Sequence, residues 1–289
     1  CWEAVFIAHH LGIPVWMRGD SNDLKPDPWF KGWIKRLLLG AYFRRISQFL
    51  YVGAANRRLY ERYGVPAARL CLGFHAVDNR RFANQAQDWR EQREVLRARW
   101  GIPSSAFCVL FAGKFISKKR PSDILAALKL LQSDDREHSY HALFAGTGEL
   151  GAILRQSAEV CFDAECKINE SSLDNSGKPK ASFVGFLNQT EISQVYVAAD
   201  VLILPSDAEE TWGLVVNEAL ASGLQAIVSD ACGCAEDLVV PLDTSLCYPM
   251  GDVTALARAI QHAADQPVAT ASISSHIAHY NFSVTVATL

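Results

Sequence analysis

What the chain lacks narrows its class first. No apolar run approaches the roughly 18 residues that a membrane-spanning helix requires, and no secretory leader is visible. No pair of C-x2-C units occurs among the eight cysteines, and Cys161 and Cys166 have no matching His or Cys pair, so zinc is not supported. His9, His10, His138, His141, His262, His276 and His279 show no ligand spacing with nearby acids, and D-x-D occurs nowhere, so no metal is expected. Net charge is -3, which implies no general affinity for nucleic acid. Internal repeats and heptads are absent. Cys71, Cys108 and Cys247 fall in strand-like apolar runs and read as buried reduced thiols, which fits a reducing cytoplasm.

What is present fits a globular α/β protein. The 289 residues are 49% apolar and 20% charged, enough for two domains. Helix Trp2–Leu11, strand Ile13–Arg18, helix Trp29–Arg45, strand Gln48–Val52, helix Ala54–Tyr63 and strand Arg69–Phe74 alternate over 1–77, with Pro26 and Pro28 ending regular structure between the first strand and the second helix. This reads as part of a doubly wound domain. The opening helix looks like the middle of a fold, and an N-terminal portion is expected to be missing. Residues 78–105 are charged and read as an interdomain connection ending in a short helix. Strands then recur at Ala106–Ala112, Tyr140–Ala145, Ala181–Val184, Val201–Pro205, Gln225–Ser229 and Leu246–Tyr248. Helices lie between them, one expected at Glu149–Val160, and the second domain spans 106–265. Residues 163–180 read as a surface excursion. The tail, 266–289, is expected to cross back toward the first domain.

The richest stretch runs from Pro205 to Asp237. Glu210 lies in a loop before a helix, and Glu218 lies on that helix. Eight residues advance about 12 Å along a helix and turn it about 80° past two full turns. One acid can therefore sit at the helix mouth and the other deeper on a similar side. Gly213 between them lets a ligand approach the backbone, and the free N–H groups of the first turn favour an anion. A diphosphate flanked by hydroxyl-rich groups suits this layout, as in a nucleotide sugar. Generic chemistry leaves open an exposed loop acid and a solvated helix acid.

Other stretches carry their own readings. FAGKFISKKRP, Phe111 to Pro121, runs a strand through Gly113 into a basic loop, where Lys114 and Lys119 are spaced to meet two phosphates. A solvated basic loop is the plain alternative. Gly146 to Gly151 is a literal G-x-G-x-x-G. It follows the second strand of its domain rather than the first, and no acid is expected at the end of the next strand, which argues against a nicotinamide-binding oxidoreductase. Arg18 and Asp20 end the first strand, as an acceptor-side pair or an ordinary salt-bridged turn. Residues 29–45 mix Trp29, Phe30, Trp33, Ile34, Leu37, Leu38, Tyr42 and Phe43 with Lys31, Lys35, Arg36, Arg44 and Arg45. That helix reads either as packed core or as a surface for an anionic membrane.

E-T-W-G-L-V-V-N-E-A, followed by A-x-G and by G-x-x-E at Gly233 to Glu236, resembles the E-x7-E signature of retaining glycosyltransferases of family 4. The loop with Lys114 and Lys119 is similar to that family's G-R/K-x5-K pattern, and the resemblance is dense from Ala106 to Tyr248. It implies a GT-B fold of two Rossmann-like domains, the first incomplete at its N-terminus. It implies transfer of a sugar from a nucleotide-diphosphate donor to an acceptor hydroxyl with retention, in polysaccharide or glycoconjugate biosynthesis. Glu210 would hold sugar hydroxyls, the amides of Trp212, Gly213 and Leu214 would meet the diphosphate, and Glu218 would hold the ribose. Lys114 and Lys119 would stabilise the departing charge, beside Gly113. Gly146 and Gly148 would face the donor, while backbone at Phe186 and Leu187 would hold the base. No metal or other cofactor is implied, nor a protein general base, since the departing phosphate takes the acceptor proton. With the first domain incomplete, the chain is expected to bind nucleotide well and to catalyse poorly. A donor-binding protein without turnover is the competing reading. The expected location is cytoplasmic, with a peripheral place at the inner membrane face through residues 29–45.

Overall fold

The computed structural model describes residues 2–24, 29–134, 137–165 and 177–287. Pro26, Pro28, Cys1, Cys166 and most of the stretch 163–180 lie outside the described residues, as do the side chains of 29–34. The chain divides into two compact units: Cys1–Ala76 with Tyr280–Leu289, and Val77–His279.

In the first unit α1 (Trp2–His10), β1 (Trp16–Arg18), α2 (Trp29–Phe43), β2 (Gln48–Tyr51), α3 (Ala54–Arg62) and β3 (Leu70–Leu72) alternate as expected. The strands are parallel in the order β1-β2-β3. The unit closes on aromatic rings: Phe43 meets Phe49, Tyr60 and Tyr63 edge-on, with centroids 5.1, 5.7 and 5.9 Å away. Tyr42 and Phe43 of α2 are therefore core, whereas Leu37 and Leu38 are each 56% exposed.

The second unit opens with α4 (Asn79–Arg90) and α5 (Arg93–Arg99). The charged stretch read as a connection is thus largely helical and groups with this unit. The Asp78 carboxylate accepts from the Arg81 N–H at 3.0 Å and caps α4. Charge also anchors α5. Arg97 is 2% exposed and donates to the Pro103 carbonyl at 2.8 Å, to Ala106 O and to Asp200 at 3.3 Å. Arg93 reaches the same Asp200 at 2.6 Å, and the Cys108 N–H donates to it at 2.7 Å. One carboxylate thus compensates two cations and ties α5 to the sheet.

The sheet itself comprises β4 (Ala106–Ala112), β5 (Ser139–Ala145), β6 (Glu159–Asp163), β7 (Lys180–Gly185), β8 (Val201–Leu204), β9 (Ala226–Ser229) and β10 (Cys247–Tyr248). Every neighbour pairing is parallel, in the order β10-β9-β8-β4-β5-β7-β6. Parallel strands are covered on both faces, so inner strands read as unbroken apolar runs. Cys108 to Phe111 of β4 are at most 1% exposed. Helices α6 (Ser122–Asp134), α7 (Gly151–Gln156), α8 (Ser193–Ala198), α9 (Leu214–Ala221), α10 (Val253–Asp265) and α11 (Thr270–Ile277) join or follow the strands, and α12 (Phe282–Ala287) belongs to the first unit.

Two elements correct the sequence reading. The helix expected over 149–160 stops at Gln156, and Glu159–Asp163 is the edge strand β6. An edge strand has one partner and stays half-exposed, so it lacks the apolar run that marks the inner strands. The Ser/Ala-rich tail contains α11, whose Ile273 and Ile277 are buried. The three thiols expected to be buried also divide: Cys108 is buried, while Cys71 and Cys247 are half-buried. Among the described residues no cysteine is bonded to another, and no helix is long and apolar enough to cross a membrane.

Candidate functional site

The strand order fixes where a site can form. From β4 the chain adds β5, then the edge strand β6, then β7 between them, and returns to place β8 on the other side of β4. The sheet changes direction between β4 and β8. In open α/β sheets the crevice beyond the carboxyl ends of such strands takes the ligand. The loop after β4 carries Lys114 and Lys119, and the loop after β8 carries Glu210.

The structure joins these loops. The Asp207 N–H donates to the Lys118 carbonyl at 2.9 Å. Lys119 Nζ lies 2.5 Å from Glu210 Oε2, with both side chains less than one-fifth exposed. Ser206 Oγ donates to the same Glu210 oxygen at 3.3 Å. A Cβ at Gly113 would stand 3.6 Å from Lys119 Cδ, so the lysine stem passes over that glycine. Gly113, Lys119 and Glu210 are therefore brought together, while Lys114 is exposed on the same loop.

The loop after β9 braces the loop that carries Glu210. The Gly233 N–H donates to Glu210 O and the Cys234 N–H to Trp212 O, each at 3.1 Å. Gly233 has no room for a side chain, because a Cβ there would lie 1.8 Å from Thr211 O. Trp212 is 3% exposed, and its indole N–H donates to Asn217 Oδ1 at 2.8 Å. Gly213 has a cause within the fold. Its φ of 104° is left-handed, and a Cβ would lie 2.6 Å from Leu204 Cδ2. The fold therefore requires glycine there whether or not a ligand approaches. Gly213 is the N-cap of α9 and supplies no side-chain cap; the Val216 N–H donates back to Gly213 O at 2.9 Å, while the N–H groups of the first two helical residues precede any i−4 carbonyl of the helix.

Glu218 sits on α9 and accepts from the Tyr196 hydroxyl of α8 at 2.6 Å. Burial raises the Glu218 carboxyl above its usual range, opposed by the Tyr196 hydrogen bond and the Arg81 charge. Tyr196 stays protonated, because burial and the Glu218 charge push its hydroxyl well up.

Gly146 and Gly148 also have a structural cause. A Cβ at Gly146 would lie 1.9 Å from Gly113 O, and one at Gly148 would lie 2.5 Å from Phe115 O. The Phe115 N–H donates to Thr147 O at 2.9 Å, and the Gly146 N–H to Gly185 O at 2.8 Å. The loops after β4, β5 and β7 are thus knitted by backbone hydrogen bonds. Beyond Gly185, Phe186 is 77% exposed and Leu187 half-buried. The G-x-G-x-x-G stretch does meet an acid at the end of the next strand, Asp163 of β6, contrary to expectation. That acid is held by Arg155 at 2.5 and 3.0 Å, and β7 separates β6 from β5. A dinucleotide ribose site is not built there. In the first unit Arg18 donates to the Gly73 and Phe74 carbonyls at 3.2 and 2.9 Å. Among the described residues no group of His, Cys, Asp and Glu is arranged to hold a metal ion.

A family model described as Glycosyl transferases group 1 matches residues 92–277. The chain belongs to that family. A GDP-mannose-dependent alpha-mannosyltransferase of Mycobacterium tuberculosis is 32% identical to the group 1 chain over 216 residues, covering 73% of this chain and 47% of the relative. An uncharacterized glycosyltransferase of Methanocaldococcus jannaschii is 25% identical over 162 residues, covering 56% of this chain and 36% of the relative. The group 1 chain thus spans less than half the length of these curated relatives. Anabaena Alr3699/HepE, solved in complex with UDP and glucose, superposes with a TM-score of 0.63 at 16% identity, over 99% of this chain and 73% of that one. Sucrose-phosphate synthase from Thermosynechococcus elongatus gives 0.64 at 20%, over 99% and 70%. The fold of the group 1 chain is the GT-B fold, α/β with parallel sheets, as the resemblance implied.

Sequence reading missed Tyr196, Ser206 and the backbone brace from Gly233 and Cys234. Tyr196 lies in an apolar helix and gives no periodic signal of its polar contact. The Cys-Gly-Cys stretch carried a signal only in its glycine.

Proposed function

We propose that this chain binds a nucleotide-diphosphate sugar and, with the rest of a complete enzyme, transfers the sugar to an acceptor hydroxyl with retention of configuration. The observation that carries the reading is the meeting of Lys119 and Glu210 at the switch between β4 and β8, beside the start of α9. In this reading the donor's diphosphate takes Lys119 and Lys114 together with the first amides of α9. The sugar hydroxyls take Glu210 and the ribose takes Glu218. Lysine charge and a helix start stabilise the diphosphate as the bond from the anomeric carbon to its phosphate oxygen breaks. The acceptor oxygen bonds to that carbon on the same face, and its proton passes to the departing phosphate. No metal or other cofactor enters. A UDP-bound neighbour and a GDP-mannose-dependent relative support a nucleotide-sugar donor. The second reading is donor binding without turnover by this chain alone. The setting is glycan or polysaccharide assembly on the cytoplasmic side, with the exposed Leu37 and Leu38 flank of α2 offering a peripheral membrane contact.

The test is a thermal-shift panel of UDP-, GDP- and ADP-sugars, followed by radiolabelled sugar transfer. A ligand that binds the folded state must raise its stability. At least one donor should raise Tm. No shift from any member refutes the site, and a shift without transfer favours the second reading.

A further inference from the structure

Tyr196 is 2% exposed, and its ring is fixed from two sides. Phe82 of α4 packs edge-on against it with centroids 6.2 Å apart. Three residues earlier on α8, Ser193 Oγ donates to Gln85 Oε1 of α4 at 2.8 Å, pinning the helix that carries the tyrosine. The hydroxyl then has one direction, toward Glu218 Oε2 at 2.6 Å. Among the described residues no other hydrogen bond reaches that carboxylate, and Glu218 is only partly buried. One oxygen is occupied by a rigid donor while the other is left to accept.

We propose that Tyr196 is a positioning residue: it orients the Glu218 carboxylate so that Oε1 accepts from the ribose hydroxyls of the donor nucleotide. This rests on the donor-site reading above. A flexible glutamate on α9 has three rotatable bonds, and ordering it on binding costs affinity. A buried phenol supplies the order beforehand. Phenol bonded to carboxylate is also among the stronger protein hydrogen bonds. The ring alone would pack as well if it were phenylalanine, so the hydroxyl is the part that needs a reason.

Calorimetry on the full chain with UDP and GDP, each beside its 2′,3′-dideoxy counterpart, tests this. Wild type should prefer the ribonucleotide. Tyr196→Phe should weaken the ribonucleotide about tenfold, the scale of one hydrogen bond to a charged group, and leave the dideoxy form unchanged. Without the hydroxyl the carboxylate protonates more readily, so ribonucleotide binding should fail at a higher pH than in wild type. Glu218→Gln keeps an acceptor for Tyr196, and adding Tyr196→Phe to it should cost much less than Tyr196→Phe alone. Equal weakening of both nucleotide forms, or no weakening, overturns the proposal. Wild type that binds neither form, or does not distinguish them, overturns the donor-site reading of Glu218 itself and the proposal with it. Circular dichroism and Tm confirm folding, and a Tyr196→Phe chain that fails to fold makes the hydroxyl structural and overturns the proposal.

Discussion

Replacing Gly213 by alanine separates a glycine kept for a ligand from a glycine kept for the chain. At φ 104° and ψ 61° an L-residue is strained, at a cost of about 1–3 kcal/mol. The new methyl would lie 2.6 Å from Leu204 Cδ2 and 3.4 Å from Cys234 Sγ, where carbon contacts settle near ~3.5–4.0 Å. Leu204 is 1% exposed and cannot retreat into solvent. Overpacking of this kind costs about 1–3 kcal/mol. The sum, roughly 2–6 kcal/mol, is a large share of a net stability of about 5–15. Urea unfolding followed by circular dichroism should show the midpoint falling with no nucleotide present and the slope little changed. Leu204→Val removes the clashing methyl, so the double variant should recover part of the loss. A Gly213→Ala chain within about 0.5 kcal/mol of wild type, the range of neutral surface changes, would show that the backbone there tolerates a side chain. The close-approach explanation would then stand instead.

Three further outcomes follow from the structure. Asp200→Ala leaves Arg97 buried without its counter-charge and frees the Cys108 N–H, so unfolding should be easier by about 3–5 kcal/mol, and a loss below about 1 would refute the anchor role. Lys119→Ala should weaken nucleotide diphosphate about 10- to 100-fold by calorimetry with circular dichroism unchanged, and unaltered affinity would remove Lys119 from the site. His141 is buried with its Nε2 2.8 Å from Ser182 Oγ, and burial lowers its pKa from 6.5 to about 4. Its unfolded form binds protons first, so its contribution is present above pH 6.5 and is lost as pH falls toward 4. Tm measured across that range should flatten in His141→Gln, and an unflattened profile would assign the acid sensitivity elsewhere.

Much of this was legible in the residues. Inner parallel strands announce themselves as apolar runs, which is why Ala106–Ala112 matches β4 end to end. The loop after β4 and the acid loop after β8 were readable because Gly, Lys and Glu are chemically marked and spaced. Three things escaped for physical reasons. The edge strand β6 has a mixed surface that mimics a helix. The 78–105 stretch hides a buried Arg97 in a run of charge, since a cation is interior only when a distant carboxylate meets it. Glycines 146, 148 and 213 looked like ligand signals, yet each is demanded by neighbouring protein atoms that sequence spacing does not reveal.

The thiols of Cys232 and Cys234 give the floor of the acid loop a use of its own. Both are fully buried, and desolvation pushes Cys232 up to about 12 and Cys234 well above its usual value. Since only a thiolate alkylates, maleimide or iodoacetamide should mark these sulfurs only when the floor opens. Their rate of modification is a chemical clock for local breathing, and a seated sugar nucleotide should slow it in step with how tightly it grips.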